Sequence, residues 1–398
     1  MSEQTAKLSE IARVFLKVGA VSYGGPAIMG IMQTEVQEKR QWIAKPQFVE
    51  GLALVNMLPG PGATQLAIFL GHDRAGIIGG ILAGACFILP AFLIMLVLAS
   101  AYVAFGALPS MRSAFYGIGP VVVGIFAVSI YRLGRATIRD MSQIVIAGAT
   151  IAVTILTPVG LVFTLLAAGC IGIALFESKR KGLIGVAALV LLYALSYLLA
   201  PALTTSDAAV RSSGLPNIWA LATFFLKVGA LTFGGGLSML AFIQEQVVNQ
   251  LSWLTPQEFV DGLALGQFTP GPILMLAAFI GFKLFGLKGA MVATSAIFLP
   301  SFLMMLTVLP LLRKLRDLQW LKAFMRGIAP AVIGALAVSL LQMAPHAAPD
   351  LFTWCVLVLT IAIILFRNIG PLPLVSGGAL LGLLSKGRAW EIVQGLAR

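Results

Sequence analysis

Charge is scarce in this sequence, and so are histidine and cysteine. Of 398 residues only 11% are Asp, Glu, Lys or Arg, where a soluble domain carries roughly 25%. With 59% hydrophobic residues, the chain lacks the polar surface that water requires, and a membrane-embedded protein follows. Two histidines, His72 and His346, leave little room for imidazole metal chemistry. Three cysteines, Cys86, Cys170 and Cys355, stand singly in apolar runs. Without partners at ligand or framework spacing they define neither a zinc site nor a disulfide set. No nucleophile–base set and no P-loop is visible, so neither an enzyme, nor a metal or cofactor, nor an ATP-driven pump is expected. The scarce charge leans to one sign, with 27 Lys and Arg against 15 Asp and Glu, a net +12. In a soluble protein that would suggest nucleic acid. Here basic loops that hold orientation in a lipid bilayer account for it, and no nucleic-acid partner is expected.

What the sequence does have is a repeat. Phe15-Leu16-Lys17-Val18-Gly19-Ala20 recurs letter for letter as Phe225-Leu226-Lys227-Val228-Gly229-Ala230. Each copy runs into a glycine cluster, Gly24-Gly25-Pro26 in the first and Gly234-Gly235-Gly236 in the second. Further on, Gly51-Leu52-Ala53-Leu54 pairs with Gly262-Leu263-Ala264-Leu265, and Pro59-Gly60-Pro61 with Pro270-Gly271-Pro272. Ile88-Leu89-Pro90-Ala91-Phe92 pairs with Phe298-Leu299-Pro300-Ser301-Phe302, and Gly117-Ile118-Gly119-Pro120 with Gly327-Ile328-Ala329-Pro330. The offset is 210 positions, moving to 211 around Trp42/Trp253 and then back. The division is a first repeat over 1–182, a linker helix and loop over 183–216, and a second repeat over 217–398. Lys7 and Arg13 before an apolar run mimic a signal peptide, but the same run recurs mid-chain, so it is read as mature structure.

The apolar segments of the first repeat run from about Ile11 to Met32, Phe48 to Gly71, Ile77 to Phe105, Phe115 to Tyr131, Ile144 to Leu156 and Gly160 to Phe176. Leu183 to Ala200 is a further span with no later counterpart. The second segment would reach about 36 Å as one helix against a hydrocarbon core of about 30 Å. It is either one span with an unwound centre or a hairpin of two half-helices. Thr255-Pro256-Gln257-Glu258 reads as a capping box with proline at the first helical position.

Basic residues set the orientation. Arg132, Arg135 and Arg139 follow the Phe115 segment, and only Arg112 precedes it. In the second repeat Arg313, Lys314, Arg316, Lys322 and Arg326 come before the matching segment, and none lies between Leu341 and Leu351. By the positive-inside rule the matched helices run in opposite directions. Counting each broken segment as one span gives six per repeat. The Leu183 span makes thirteen and inverts the second repeat, with the N-terminus inside and the C-terminus outside. Lys179, Arg180 and Lys181 suit that count, whereas Lys386 and Arg388 oppose it. The expected fold is therefore an all-α polytopic membrane protein of about 13 transmembrane segments, built as two inverted-topology repeats with broken helices. That is the pattern of secondary transporters, whose substrate meets half-helix ends near the midplane.

Four constellations carry candidate chemistry. A helix starting at Pro61 or Pro272 leaves backbone N–H groups open to an anion, and Gly60, Gly62 and Gly271 let the backbone approach it. Asn56 and Gln267 are matched polar residues three positions before Pro59 and Pro270, and Thr64, Gln65 and Thr269 are polar neighbours; the alternative is a structural kink. Gly24, Gly25, Gly234 and Gly235 either line the same site or serve helix packing. Lys17 and Lys227 either balance an oxyanion or snorkel to the interface. The matched acids Glu35/Glu245 and Glu50/Asp261 are either coupling carboxylates or helix-start acids favoured by the dipole.

In the Phe-Leu-Lys-Val-Gly and Gly-Leu-Ala-Leu…Pro-Gly-Pro motifs of both halves, and over nearly its whole length, the chain resembles the chromate transporter family in its long, two-domain form. The resemblance implies a bacterial inner-membrane protein that exports chromate and confers chromate resistance. It also implies a link with sulfate and an odd span count. The change from Gly24-Gly25-Pro26 to Gly234-Gly235-Gly236 departs from equal halves. Sulfate or other oxyanion uptake and an uncoupled anion channel remain alternatives, and the oligomeric state stays open, a homodimer included.

Overall fold

The computed structural model describes residues 3–22, 25–55, 58, 60–106, 108–157, 159–194, 217–231, 238–315, 318–367 and 369–396. Among these residues the chain is α-helical, with no strand. In the first half α1 is Glu3–Val21 and α2 is Gly25–Met32, continued by a π-turn over Gln33–Glu38. There follow α3 (Lys45–Val55), α4 (Gly62–Phe105), α5 (Pro109–Thr137), α6 (Met141–Leu156) and α7 (Leu161–Phe176). Residues 179–194 form α8. The second half repeats the order with α9 (Ile218–Leu231), α10 (Ser238–Gln244) and its π-turn Glu245–Gln250. Then come α11 (Pro256–Phe268), the 3₁₀ turn Ile273–Met275, α12 (Leu276–Leu315), α13 (Gln319–Ala347), α14 (Leu351–Arg367) and α15 (Pro371–Leu396). Gly62–Phe105, Pro109–Thr137, Leu276–Thr307 and Gln319–Ala347 are long and apolar enough to cross a membrane.

Both broken stretches double back. A Cβ on Gly51 would lie 2.5 Å from the Phe69 ring, whereas a continuous helix would set these residues about 27 Å apart. So α3 and the first arm of α4 form a hairpin about Gly60, and α11 repeats it, with Gly262 2.5 Å from the Phe279 ring on the same construction. The α1–α2 stretch also returns on itself: Lys17 meets Glu35 at 3.2 Å, and the Phe15 and Trp42 rings lie 6.5 Å apart. The thirteen-span count, which takes each broken segment as a single crossing, does not match this course. Proline and glycine mark a break equally well whether the chain continues or turns.

A second turn, at Ala75-Gly76 in α4 and Phe285-Gly286 in α12, leaves helical geometry in both halves. It folds the first arm of each helix against the second, with Gly71 on Gly79 and Gly281 on Gly289 too close for any side chain. The second half covers the stretch from Pro-Gly-Pro to this turn with one residue fewer. Its 3₁₀ turn fits that shortening, since it rises about 2.0 Å per residue against about 1.5 Å in an α-helix.

The halves exchange contacts. Gly117 of α5 packs on Gly378 and Gly382 of α15, and its counterpart Gly327 of α13 packs on Ala168 and Gly172 of α7. Gly124 meets Leu357 and Thr360 of α14, and Gly334 meets Ala147 and Thr150 of α6. Matched helices run antiparallel where they touch: Gly119 lies at Ala347 and Gly134 at Ile333, while Gly80 lies at Leu306 and Gly84 at Phe302. The capping box at α11 forms as the sequence predicts, Thr255 Oγ1 accepting from Glu258 N–H and Glu258 accepting from Thr255 N–H at 2.9 Å.

Candidate anion site at the paired helix breaks

Gly60 holds φ +126°, a conformation open to glycine because it has no Cβ. Pro61 caps α4, and the first intrahelical bond runs from Gln65 N–H to the Pro61 carbonyl at 3.0 Å. The N–H groups of Gly62, Ala63 and Thr64 therefore have no partner within their helix and face the break. Across the break stands the other half. A Cβ on Gly60 would lie 2.5 Å from Ser301 Oγ and 2.5 Å from Gln65 Nε2. Ser301, one residue beyond Pro300 in α12, is 0% exposed. Its hydroxyl, and those of Thr64 and Ser22, are buried without a hydrogen-bond partner among the described residues.

The second break mirrors the first. Gly271 holds φ +94° and sits 3.0 Å, by its constructed Cβ, from the methyl of Ala91, the counterpart of Ser301. Its N–H donates to the carbonyl of Ser22, at the end of α1, at 2.6 Å. Thr269 Oγ1 closes the last turn of α11 by donating to the Gly266 carbonyl at 2.8 Å. Each break thus abuts the residue after a helix proline in the opposite half. The first break combines helix-start N–H groups with the buried hydroxyls of Thr64 and Ser301, and a buried hydroxyl left unpaired costs about 1–3 kcal/mol. An acceptor-rich anion would satisfy both kinds of donor at once.

The candidate residues sort clearly. Gly60, Pro61, Gly62, Pro270, Gly271 and Pro272 lie at the breaks. Gln267 sits half-buried in the last turn of α11, and Gly25 opens α2. Gly24, Asn56, Pro59, Gly234 and Gly235 lie outside the described residues. Lys17 is not brought to the breaks: its side chain is 57% exposed and paired with Glu35, and Lys227 is exposed on the matching face of α9. Of the acids, Glu245 accepts from Asn249 at 2.7 Å and Gln250 at 3.2 Å. It lines a cavity of about 270 Å³ with Ser339 and Gln342. Glu50 is half-buried on α3. Asp261 lies in the second turn of α11, not the first, and is only 6% exposed.

Glu35 is held by three cations. It accepts from Lys39 at 2.9 Å, Arg40 at 2.6 Å and Lys17 at 3.2 Å. Glu10 joins the group through Arg40 at 3.9 Å and Arg74 at 3.3 Å. Lys39, then Arg40, and then Lys17 draw the Glu35 carboxyl from its ordinary 4.5 to about 2, against the opposing effect of burial. A depressed folded-state value contributes stability that is present above the unfolded value and is lost as pH falls through the folded one. The melting temperature in detergent is therefore expected to fall between pH 4.5 and about 2, and Glu35→Gln to flatten that slope. An unchanged slope would remove Glu35 from the clamp on the α1–α2 return.

Sequence reasoning passed over Ser301, Tyr102 and Lys283. The available signal was inequality between the repeats: Ser301 stands where the first half has Ala91, and Tyr102 where the second has Leu312.

The chromate transporter family matches residues 9–173 and 219–383 of this chain. The chromate transport protein of Cupriavidus metallidurans is 35% identical over 384 residues, covering 96% of this chain and 94% of that protein. The probable chromate transport protein of Synechococcus elongatus is 34% identical, covering 88% of each chain. The chromate transport protein of Pseudomonas aeruginosa is 32% identical, covering 85% of this chain and 82% of that one. No solved structure matches this chain.

Proposed function

The chain belongs to the chromate transporter family, a multi-pass membrane protein, and from that premise we propose that it exports chromate by alternating access across a bacterial inner membrane. The observation that carries the reading is that each break abuts the opposite half, Gly60 at Ser301 and Gly271 at Ala91, with the hydroxyls of Ser301, Thr64 and Ser22 buried and unpaired among the described residues. A tetrahedral dianion there accepts from helix-start N–H groups and hydroxyls at once. Lys17 and Lys227 stay outside it and serve the hairpin surface.

The proposal treats the two repeats as inverted units joined by α8. Antiparallel pairing of α5 with α13, and of the second arms of α4 and α12, supports this. So does the arginine and lysine bias. Taking both stretches of each half as hairpins instead of crossings leaves the parity per half even, so α8 still inverts the second repeat. Rocking of one unit against the other would open the breaks to each side in turn. With the cell interior negative, the potential favours anion exit by about 2.3 kcal/mol per charge per 100 mV.

Proteoliposomes with an imposed potential and sulfate as competitor provide the test. Saturable chromate flux driven by potential is expected. No chromate movement by purified protein, at either sign of potential, sinks the reading. Within the same assay Ser301→Ala is expected to raise KM roughly tenfold or more, the scale of a lost hydrogen bond to a charged group. Lys17→Gln should leave KM unchanged.

A further inference from the structure

The second half carries a buried carboxyl that the anion site does not use. Asp261 accepts from Tyr102 Oη at 2.8 Å and from Gln257 Nε2 at 3.0 Å. Both partners are neutral, and Tyr102 belongs to the other half. Asp261 lines a cavity of about 640 Å³ with Tyr102, Arg112, Tyr116, Lys283 and His346. Removal from water penalises the charged form of a carboxyl unless a cation answers it. Of the arginine and lysine that line the cavity, Lys283 is taken by Glu258 and Arg112 is exposed.

The groups around Asp261 come from every element packed on α11. They are Tyr102 of α4, Arg112 and Tyr116 of α5, Gln257 and Glu258 of α11 itself, Lys283 of α12 and His346 of α13. Residues 371–385 of α15 contain no ionisable group. Tyr116 is engaged with Asp350.

The carboxyl is also connected to the breaks. α11 runs antiparallel to the second arm of α4, with Tyr102 at Asp261, Met95 at Gly266 and Ala91 at Gly271. About 10 Å of helix separates Asp261 from the end of α11. By repeat offset the matching pair is Glu50 of the first half and Leu312 of the second, so the arrangement is confined to one side of the molecule.

We propose that Asp261 binds a proton from this cavity as the anion enters the breaks, and that its hydrogen bond to Tyr102 ties the proton to the seating of α11 against the first half. The proton adds to a carboxylate oxygen from cavity water and leaves by the same route, with no other bond made or broken. Neutralising Asp261 removes a negative charge from the path of an incoming dianion, so proton and anion bind together. Tyr102 is the positioning residue. The inference rests on the breaks as the anion site, and its test separates the two.

Infrared difference spectroscopy of the purified, anion-free protein reads the proton directly. A carboxyl C=O band that titrates in the wild type and is missing from Asp261→Asn is expected, and Tyr102→Phe should displace its titration. A wild type whose titrating bands all persist in Asp261→Asn overturns the proposal, whatever chromate does. The second arm adds chromate to weakly buffered protein and follows pH, with Asp261→Asn at each starting pH to subtract chromate's own protonation. Proton uptake in excess of the variant is expected. Chromate binding with identical proton uptake in both proteins overturns the coupling and leaves the anion site standing. Absence of chromate binding fails the anion site, while the infrared band still decides for or against Asp261.

Discussion

Chromate flux through the Gly60→Ala protein is expected to fall about tenfold or more while the protein still folds. Two costs coincide at this position. Backbone at φ +126° charges a residue with a Cβ about 1–3 kcal/mol, and 1.4 kcal/mol is a factor of about ten. The added methyl also meets Ser301 Oγ and Gln65 Nε2, each 2.5 Å away. The break must then move away from the hydroxyl it faces, so the loss falls on anion handling more than on the fold. Gly271→Ala should differ in kind. Its strain is comparable, but its methyl meets the methyl of Ala91 at 3.0 Å, and its N–H holds Ser22. Lower stability, with a smaller change in KM, is the expected outcome there. Gly30→Ala is the control, since nothing lies within 4 Å of the added methyl and alanine suits a helix better than glycine. The measurements are flux in proteoliposomes and melting in detergent with and without chromate. A Gly60→Ala protein with wild-type flux would remove the first break from the anion path.

How far the chain could be read before folding depends on what each residue constrains. Proline and glycine restrict or free the backbone wherever they stand, so the breaks at Gly60–Gly62 and Pro270–Pro272 were legible as breaks. Their direction was not, because Phe69 on Gly51 is a tertiary contact with no periodic signature. The turn at Ala75-Gly76 also went unread. A single glycine in an apolar run looks the same whether it packs or turns, and only the close approach of Gly71 to Gly79 distinguishes the two. Lys17 misled for a different reason. Its position within an apolar segment was plain, but its partner Glu35 lies beyond a glycine cluster, and only the α1–α2 return brings them to 3.2 Å. Likewise Tyr102 and Asp261 meet across 159 positions. Arginine placement alone led to the expectation of opposed halves, and α5 and α13 run antiparallel where they touch.

Leucine at Gly172 is expected to cost more stability than any other single change considered. A Cβ there would lie 2.5 Å from the Ala323 carbonyl and 2.7 Å from Gly327 N. Both are backbone atoms of α13 and cannot step aside as a side chain can. Overpacking a tight contact costs about 1–3 kcal/mol, and leucine on a backbone-to-backbone approach belongs at or above the upper end. In lipid no hydrophobic effect drives helices together, so close packing of small residues carries the association. Gly382 faces Ser113 and Gly117 as Gly172 faces Ala323 and Gly327, so Gly382→Leu should lower the melting temperature by a similar amount. The two contacts share no residue, and their free-energy losses should add to within about 0.5 kcal/mol. Gly377→Leu, five residues earlier on α15 and with nothing within 4 Å, should melt like the wild type. Equal tolerance of leucine at 377 and 382 would mean that α15 does not pack on α5 through this face. The paired breaks would then have no rigid exchange to hold them together.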